Sequence, residues 1–344
     1  MTIVASGDLL VHDPVRLRAA EDGRASGRAY DFRPMFEPVR DEISAADLAL
    51  CHLEVPLDDD NAELSTYPLF YAPRQLADAL VHAGYDACSV ASNHALDQGS
   101  EGVRTTLDVL DAAGLEHEGT ARSRAEARRP LVLDAGGVKV GHVSYTYGLN
   151  GMTTAPGRRW EVNVIDAPRI LRDARAARAA GAEVVVVSLH WGLEYQSEPT
   201  ADQVALARRL LRSDDVDLLL GHHAHVVQPI DRVGGEFVVY GLGNFLSNQH
   251  PGASATCCPA ETQDGLLVHV EIAGRDEVRV RSVRYTPTWV ETGTYRILPV
   301  AAALAASDDP ARRAELAASW QRTTATVESM RAPVRPTARP QQLP

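Results

Sequence analysis

Short apolar runs alternate with longer segments whose apolar residues return every three or four positions, and this alternation constrains the fold more than any other feature. The apolar runs predict strands over residues 2–6, 47–52, 87–91, 130–135, 139–146, 183–189, 216–220, 237–241, 265–272 and 278–286. The periodic segments predict helices over 35–44, 74–83, 101–113, 168–180 and 201–211. Gly84, Gly114 and Gly181 follow three of these segments at once, as helix-ending glycines do. A chain built this way buries its apolar faces as a layered α/β protein.

After residue 226 the strands follow one another without long helices between them. Residues 230–241, with Gly234-Gly235 at the centre, read as a β-hairpin. A helix-alternating first part therefore feeds a more antiparallel second part, which favours a mixed sheet or two packed sheets. Residues 249–264 read as a loop. The expected organisation is one domain over 1–298, a helical segment over 299–331 and a loose Pro-rich tail over 332–344.

Lys and Arg total 34 against 46 Asp and Glu, a formal charge of −12. That balance argues against nucleic acid or an anionic membrane surface as a general partner. It leaves an anionic substrate open, because bound cations reverse a local field. No run of about 18 apolar residues is present to span a bilayer. Met1 leads straight into a strand-like run with no leader pattern, so the chain as given reads as cytoplasmic, or extracytoplasmic if its N-terminus was clipped. Cys51 and Cys88 read as buried small residues, and Cys257-Cys258 as a weak redox candidate. No CxxC spacing supports a thiolate zinc site.

Five strand-like runs each end in a polar cluster: Gly7-Asp8, Leu53-Glu54, Ser92-Asn93-His94, His190-Trp191-Gly192 and Gly221-His222-His223-Ala224-His225. Ligand sites in open α/β sheets lie beyond the carboxyl ends of the strands, so these segments converge on one edge. A strand-end Asp alone is an ordinary turn residue. Three imidazoles in four residues are costly to place unless something binds them. The donors are carboxylate, amide oxygen and imidazole, which suit Mn, Fe or Zn. They are too many for one tetrahedral ion and enough for two divalent metal ions, with Glu54 as the bridging carboxylate. His12 either reaches the site or sits on a loop. His52, His82, His117, His142 and His269 read as structural, and His250 lies in the late loop.

With these motifs in order, the chain resembles the CapA (PgsA-like) poly-γ-glutamate biosynthesis family, a branch of the calcineurin-like metallophosphoesterases. The resemblance runs from about Val4 to Phe245, through Ala5-Ser6-Gly7-Asp8, His52-Leu53-Glu54-Val55-Pro56-Leu57, Ser92-Asn93-His94-Ala95-Leu96-Asp97, Leu189-His190-Trp191-Gly192-Leu193-Glu194, Gly221-His222-His223-Ala224-His225 and Gly241-Leu242-Gly243-Asn244-Phe245. It implies a four-layer α/β/β/α sandwich with mixed sheets. It implies that Asp8 and His225 hold a first ion, that Asn93, His190 and His223 hold a second, and that Glu54 bridges. His94 would be the catalytic acid or a clamp on a substrate oxygen, with Asp97 orienting it. Two departures stand out. Asp8-Leu9-Leu10 lacks the histidine of the superfamily's first motif, and Glu54 replaces the usual bridging Asp.

Three further residues are candidates around the site. Glu194 reads as a receiver for a substrate ammonium, a second-shell partner of a ligand imidazole, or a solvated carboxylate. Asn244 reads as a substrate or second-shell contact, and Trp191 as packing. The implied activity is a dinuclear metal-dependent hydrolase. A metal-bound hydroxide would attack a phosphoester or a γ-glutamyl amide in poly-γ-glutamate or capsule polymer metabolism. The competing expectation is a non-catalytic, metal-stabilised accessory that binds an anionic polymer or a membrane synthase.

Overall fold

The computed structural model describes residues 1–254, 257–274 and 278–340. Two large sheets carry the chain. In the first, Ile297–Pro299, Arg279–Val290, Asp264–Ala273, Thr2–Leu9, Leu48–Leu53, Ala87–Ser89 and Glu116–Glu118 lie in that order. Its last four strands are parallel, and the strands after residue 264 run antiparallel. In the second, the order is Ile230–Val233, Glu236–Val239, Leu218–His222, Val184–His190, Val138–Thr146 and Leu131–Ala135, parallel at the centre and antiparallel at both edges.

The strand Val184–His190 shows why the layers stack. It is buried along its whole length. Successive side chains of a strand point to opposite faces. Val184 and Val186 therefore pack against Ile3, Leu50 and Val268 of the other sheet, while Val185 and Val187 pack against Ile170, Ala174 and Ala207 of the helices outside. Each fully buried valine contributes about 1.5–3 kcal/mol to this double packing. On the far side, Leu76 and Leu80 of Gln75–Ala83, with Val103 and Leu107 of Gly99–Ala113, cover the first sheet. The result is an α/β/β/α sandwich of the metallo-dependent phosphatase type.

Two glycines let the strand ends approach closely. A Cβ on Gly7 would lie 2.1 Å from the Gly243 carbonyl oxygen, and one on Gly221 would lie 1.8 Å from that of Tyr240. Any side chain there would push Thr2–Leu9 away from Gly243, and Leu218–His222 away from Tyr240.

The structure departs from the sequence reading at identifiable points. The helix expected over 35–44 is broken into Arg33–Phe36, a 3₁₀ turn at Glu37–Val39 and Arg40–Ser44. Pro38 has no backbone N–H to donate, so the run of α-helical hydrogen bonds is interrupted there. The unpredicted helix Asp13–Ser26 buries only Val15, Ala19 and Gly23, a stripe too narrow to register as a period. Cys51 and Cys88 are buried as expected. They are not free, however: opposed in the register of neighbouring parallel strands, they are joined as a disulfide, as are Cys257 and Cys258. The hairpin turns at Gly234-Gly235, both with positive φ.

Helices Val300–Ala306 and Pro310–Val327 pack Leu304, Leu316 and Trp320 against Trp289. Beyond them, Arg335–Pro336, within the tail expected to be loose, pairs with Arg279–Val290. Residues 341–344 of that tail lie outside the described residues. Among the described residues no helix is long and apolar enough to cross a membrane.

Candidate metal centre

Asp8, His52, Glu54, Asn93, His190, His223 and His225 stand at or just past strand ends, and all seven are buried. Two groups form. One ligand atom each from Asp8, His52 and His190 lie within 4.8 Å of one another, and so do those of Glu54, His223 and His225. Glu54 links the groups: its Oε1 is 3.8 Å from His190 Nε2 and 3.7 Å from His225 Nε2.

Hydrogen bonding fixes which ring nitrogens face inward. Ser89 Oγ donates to the Cys51 carbonyl and receives His52 Nδ1 at 2.7 Å, which leaves His52 Nε2 to accept from His190 Nδ1 at 2.9 Å. His190 Nε2 then carries a lone pair, yet it lies 2.9 Å from Asn93 Oδ1, itself an acceptor. The Asn93 amide is held in this sense because its Nδ2 donates to Asn150 Oδ1 at 3.2 Å. The same pattern recurs at His225. Asn244 donates to Gln249 and Thr262, so its Oδ1 takes the proton of His225 Nδ1 at 3.0 Å and His225 Nε2 is turned to Glu54. Acceptors thus face acceptors in a site with little water around it.

The electrostatics agree. Both Glu54 oxygens and His223 Nδ1 are buried without a hydrogen-bond partner. Such orphaned acceptors are costly unless a cation joins them. Burial pushes the Glu54 carboxyl up to about 8. Burial also opposes charge on His225, but the Glu54 and Asp8 carboxylates outweigh it and raise the ring to about 9. Burial holds His190 and His52 well below the usual imidazole range, and His223 down to about 3, so His190 and His223 stay neutral as ligands must be and His52 stays neutral as the acceptor behind His190. Asp8 is kept low, against its own burial, by His222 and His225, and its second oxygen accepts the His223 N–H at 3.0 Å. His223 and His225 adopt φ of 87° and 55°, a strained backbone of the kind that marks functional sites. The residues therefore fit divalent ions bound through oxygen and imidazole nitrogen.

A cleft of about 410 Å³ opens over this centre, lined by His12, His94, Glu194, Tyr195, His225, Gln249 and the Cys257-Cys258 pair, among others. His94 Nδ1 donates to Asp97 Oδ2 at 2.7 Å, and the same oxygen takes the Phe70 N–H, so the imidazole is fixed with Nε2 left over. Phe70 also meets the His94 ring edge-on at 4.7 Å.

The sequence-predicted residues fall into place unevenly. His12 belongs to neither ligand group; it caps the helix Asp13–Ser26 and lines the cleft with its ring 5.0 Å from Phe70. Glu194 is exposed on the rim. Asn244 sits behind His225. His52 was expected to be structural and remote. It lies instead inside the cluster, because the register puts it beside Asp8. His82, His117, His142 and His269 bond elsewhere, to Glu37, Asp111, Ser188 and Thr286. Trp191 packs inward and donates to the Tyr240 carbonyl.

His222, counted among the three clustered imidazoles but given no role of its own, bonds to Asp8 and stacks on His52 at 4.0 Å, and the residues missed in the sequence are Tyr147, whose ring lies 4.4 Å from that of His223, and Asn150. Tyr147 directly follows the strand Val138–Thr146, so the strand-end rule applied to aromatics would have found it.

Residues 2–249 match the family model described as bacterial capsule synthesis protein PGA_cap. The chain is 28% identical over 195 residues to the capsule biosynthesis protein CapA of Bacillus anthracis, covering 56% of this chain and 46% of the relative. It is 32% identical over 165 residues to the PGA biosynthesis protein CapA of Bacillus subtilis, covering 46% and 42%. A probable polyglutamine synthesis accessory protein of Mycobacterium tuberculosis is 28% identical over 218 residues, 60% of this chain and 57% of the relative. The chain spans about half the length of the curated relatives it matches. Among solved structures, a Staphylococcus aureus protein described only provisionally as a 5′-nucleotidase, in complex with alpha-ketoglutarate, superposes with a TM-score of 0.50 at 14% identity, over 93% of this chain and 58% of that one. The calcineurin-like phosphoesterase YfkN of Bacillus subtilis gives 0.42 at 14% identity, over 96% and 99%. The likeness to the Staphylococcus aureus protein concerns the fold alone.

Proposed function

The chain belongs to the bacterial capsule synthesis protein PGA_cap family, and from that premise we propose that it is a dinuclear metal-dependent hydrolase acting on a γ-glutamyl amide or phosphoester bond in poly-γ-glutamate or capsule polymer metabolism. The observation that carries this reading is a buried donor set left without partners: the His190 Nε2 lone pair turned on Asn93 Oδ1, and both Glu54 oxygens orphaned beside His225 Nε2. Bound Mn, Zn or Fe ions would supply Lewis acidity and an activated water.

The chain's own residues do the rest. Glu54 holds the two ligand groups together. The His52–His190 relay leaves His190 Nε2 unprotonated, and the Asn244–His225 bond turns His225 Nε2 inward, where it must shed its proton to act as a ligand. In its imidazolium form His94 gives its Nε2 proton to the departing group, while Asp97, accepting from Nδ1, orients the ring and balances its charge. Glu194 at the rim receives a substrate ammonium.

The test is direct. Protein purified without chelator is analysed for metal and incubated with an aryl phosphodiester, an aryl phosphate and poly-γ-glutamate. Bound metal with turnover of one of these is expected. Metal without turnover of any, together with tight polymer binding, overturns the enzymatic reading. That outcome leaves the accessory role printed in the name of the Mycobacterium tuberculosis relative, with a membrane synthase as partner.

A further inference from the structure

A second cavity lies outside the metal centre. This groove of about 700 Å³ is lined by Arg124, Arg128, Arg159, Arg169 and Arg172, with Trp160 between them and Asp173 as the one acidic side chain among the described lining residues. Five guanidinium groups against one carboxylate is a local reversal in a chain of formal charge −12.

Several arginines elsewhere are matched to carboxylates. Arg18 pairs with Asp22, Arg33 with Asp31, Arg122 with three carboxylates, Arg178 with Asp217 and Arg322 with Asp264. In the groove, Asp173 is already shared among Arg169, Arg172 and the Tyr145 hydroxyl. Arg124 is braced by a bond from Nη2 to the Gly157 carbonyl at 2.9 Å, which ties the two loops that form the walls. Among the described residues, Arg128 and Arg159 have no carboxylate within ion-pair distance, and both are exposed.

Clustered guanidinium groups repel one another, and with Arg128 and Arg159 left without a carboxylate the excess of positive charge marks a place for anionic charge to enter. The geometry points to a binding groove for an extended polycarboxylate chain, separate from the reaction cleft. Planar guanidinium forks match carboxylates in bidentate pairs. A single-stranded nucleic acid would want several aromatic platforms. Here there is one, Trp160, and Arg158 already lies over its ring at 5.7 Å. This inference is independent of metal chemistry, and its test reads binding, not turnover.

The probes are fluorescein-labelled poly-L-glutamate and a labelled oligothymidylate, followed by fluorescence anisotropy on the full chain at low salt. Wild type is expected to bind poly-L-glutamate more tightly than oligothymidylate, with affinity falling steeply as salt is added. The double variant Arg128→Glu/Arg159→Glu is expected to lose about tenfold or more in affinity, with metal content and circular dichroism unchanged. Arg18→Glu, at an arginine outside the groove that pairs with Asp22, is expected to bind as wild type does. Absence of poly-L-glutamate binding at low salt, equal binding by the double variant, or tighter binding of oligothymidylate would each overturn the proposal.

Discussion

The metal-centre cleft and the arginine groove are both open cavities, of about 410 and 700 Å³, and they handle charge in opposite ways. The groove carries its own cations on flexible, exposed side chains. The cleft has neither Lys nor Arg among its described lining residues, and beneath it lie buried carboxylates, amide oxygens and imidazole lone pairs. An anion can meet the groove directly, whereas the positive charge in the cleft has to be brought in by ions. The difference teaches that burial, not residue charge count, sets what each cavity can do. Buried acceptors demand a desolvated cation of fixed geometry, while exposed guanidinium groups give screened, adaptable attraction.

The most severe way to break this contrast is Glu54→Ala. It removes the link between the two ligand groups, and the variant is expected to lose at least one metal equivalent by elemental analysis, with hydrolysis abolished. Full metal content would end the bridging role of Glu54. Next comes His94→Ala, which is expected to retain its metal and to turn over about 10²-fold more slowly; an unchanged rate removes His94 from the mechanism.

Smaller effects sharpen the picture. His52→Ala breaks the relay that sets the His190 tautomer. Its metal affinity is expected to fall about 10–100-fold, the usual cost of losing an outer partner, as read by competition with a chromogenic chelator. Smallest is a proton count. Burial raises Glu54 and the neighbouring carboxylates raise His225, so the pair holds a proton at neutral pH that it must give up to act as ligands. Metal binding at neutral pH is therefore expected to release protons, and affinity to climb as pH rises towards about 9. Calorimetry in buffers of different ionisation enthalpy reads the number released, and a count of zero contradicts the assigned protonation.

Much of the centre was legible in the sequence because its residues share a simple address, the ends of apolar strands. Asp8, Glu54, Asn93, His190, His223 and His225 all obey it, and the structure gathers them at one edge. His52 was misread because a histidine inside an apolar run looks like core until the register sets it next to Asp8. Tyr147 and Asn150 escaped because neither is a typical ligand type. The arginine groove was invisible for a different reason. Residues 124–128, 157–160 and 169–172 each look like an ordinary solvated stretch, and only tertiary packing adds their charges together. Alternation made a layered α/β protein with a mixed sheet or two packed sheets readable, and the four-layer sandwich came from the family resemblance. The helix Asp13–Ser26 was not readable, since its buried side is three small residues wide.

Anomalous diffraction from a crystal grown with manganese tests the central claim most directly. The account predicts two peaks about 3.5–4 Å apart, flanking Glu54 and within ligand distance of Asp8, Asn93 and the inward imidazole nitrogens. A map with no peak beside Glu54, at full manganese and neutral pH, would contradict it.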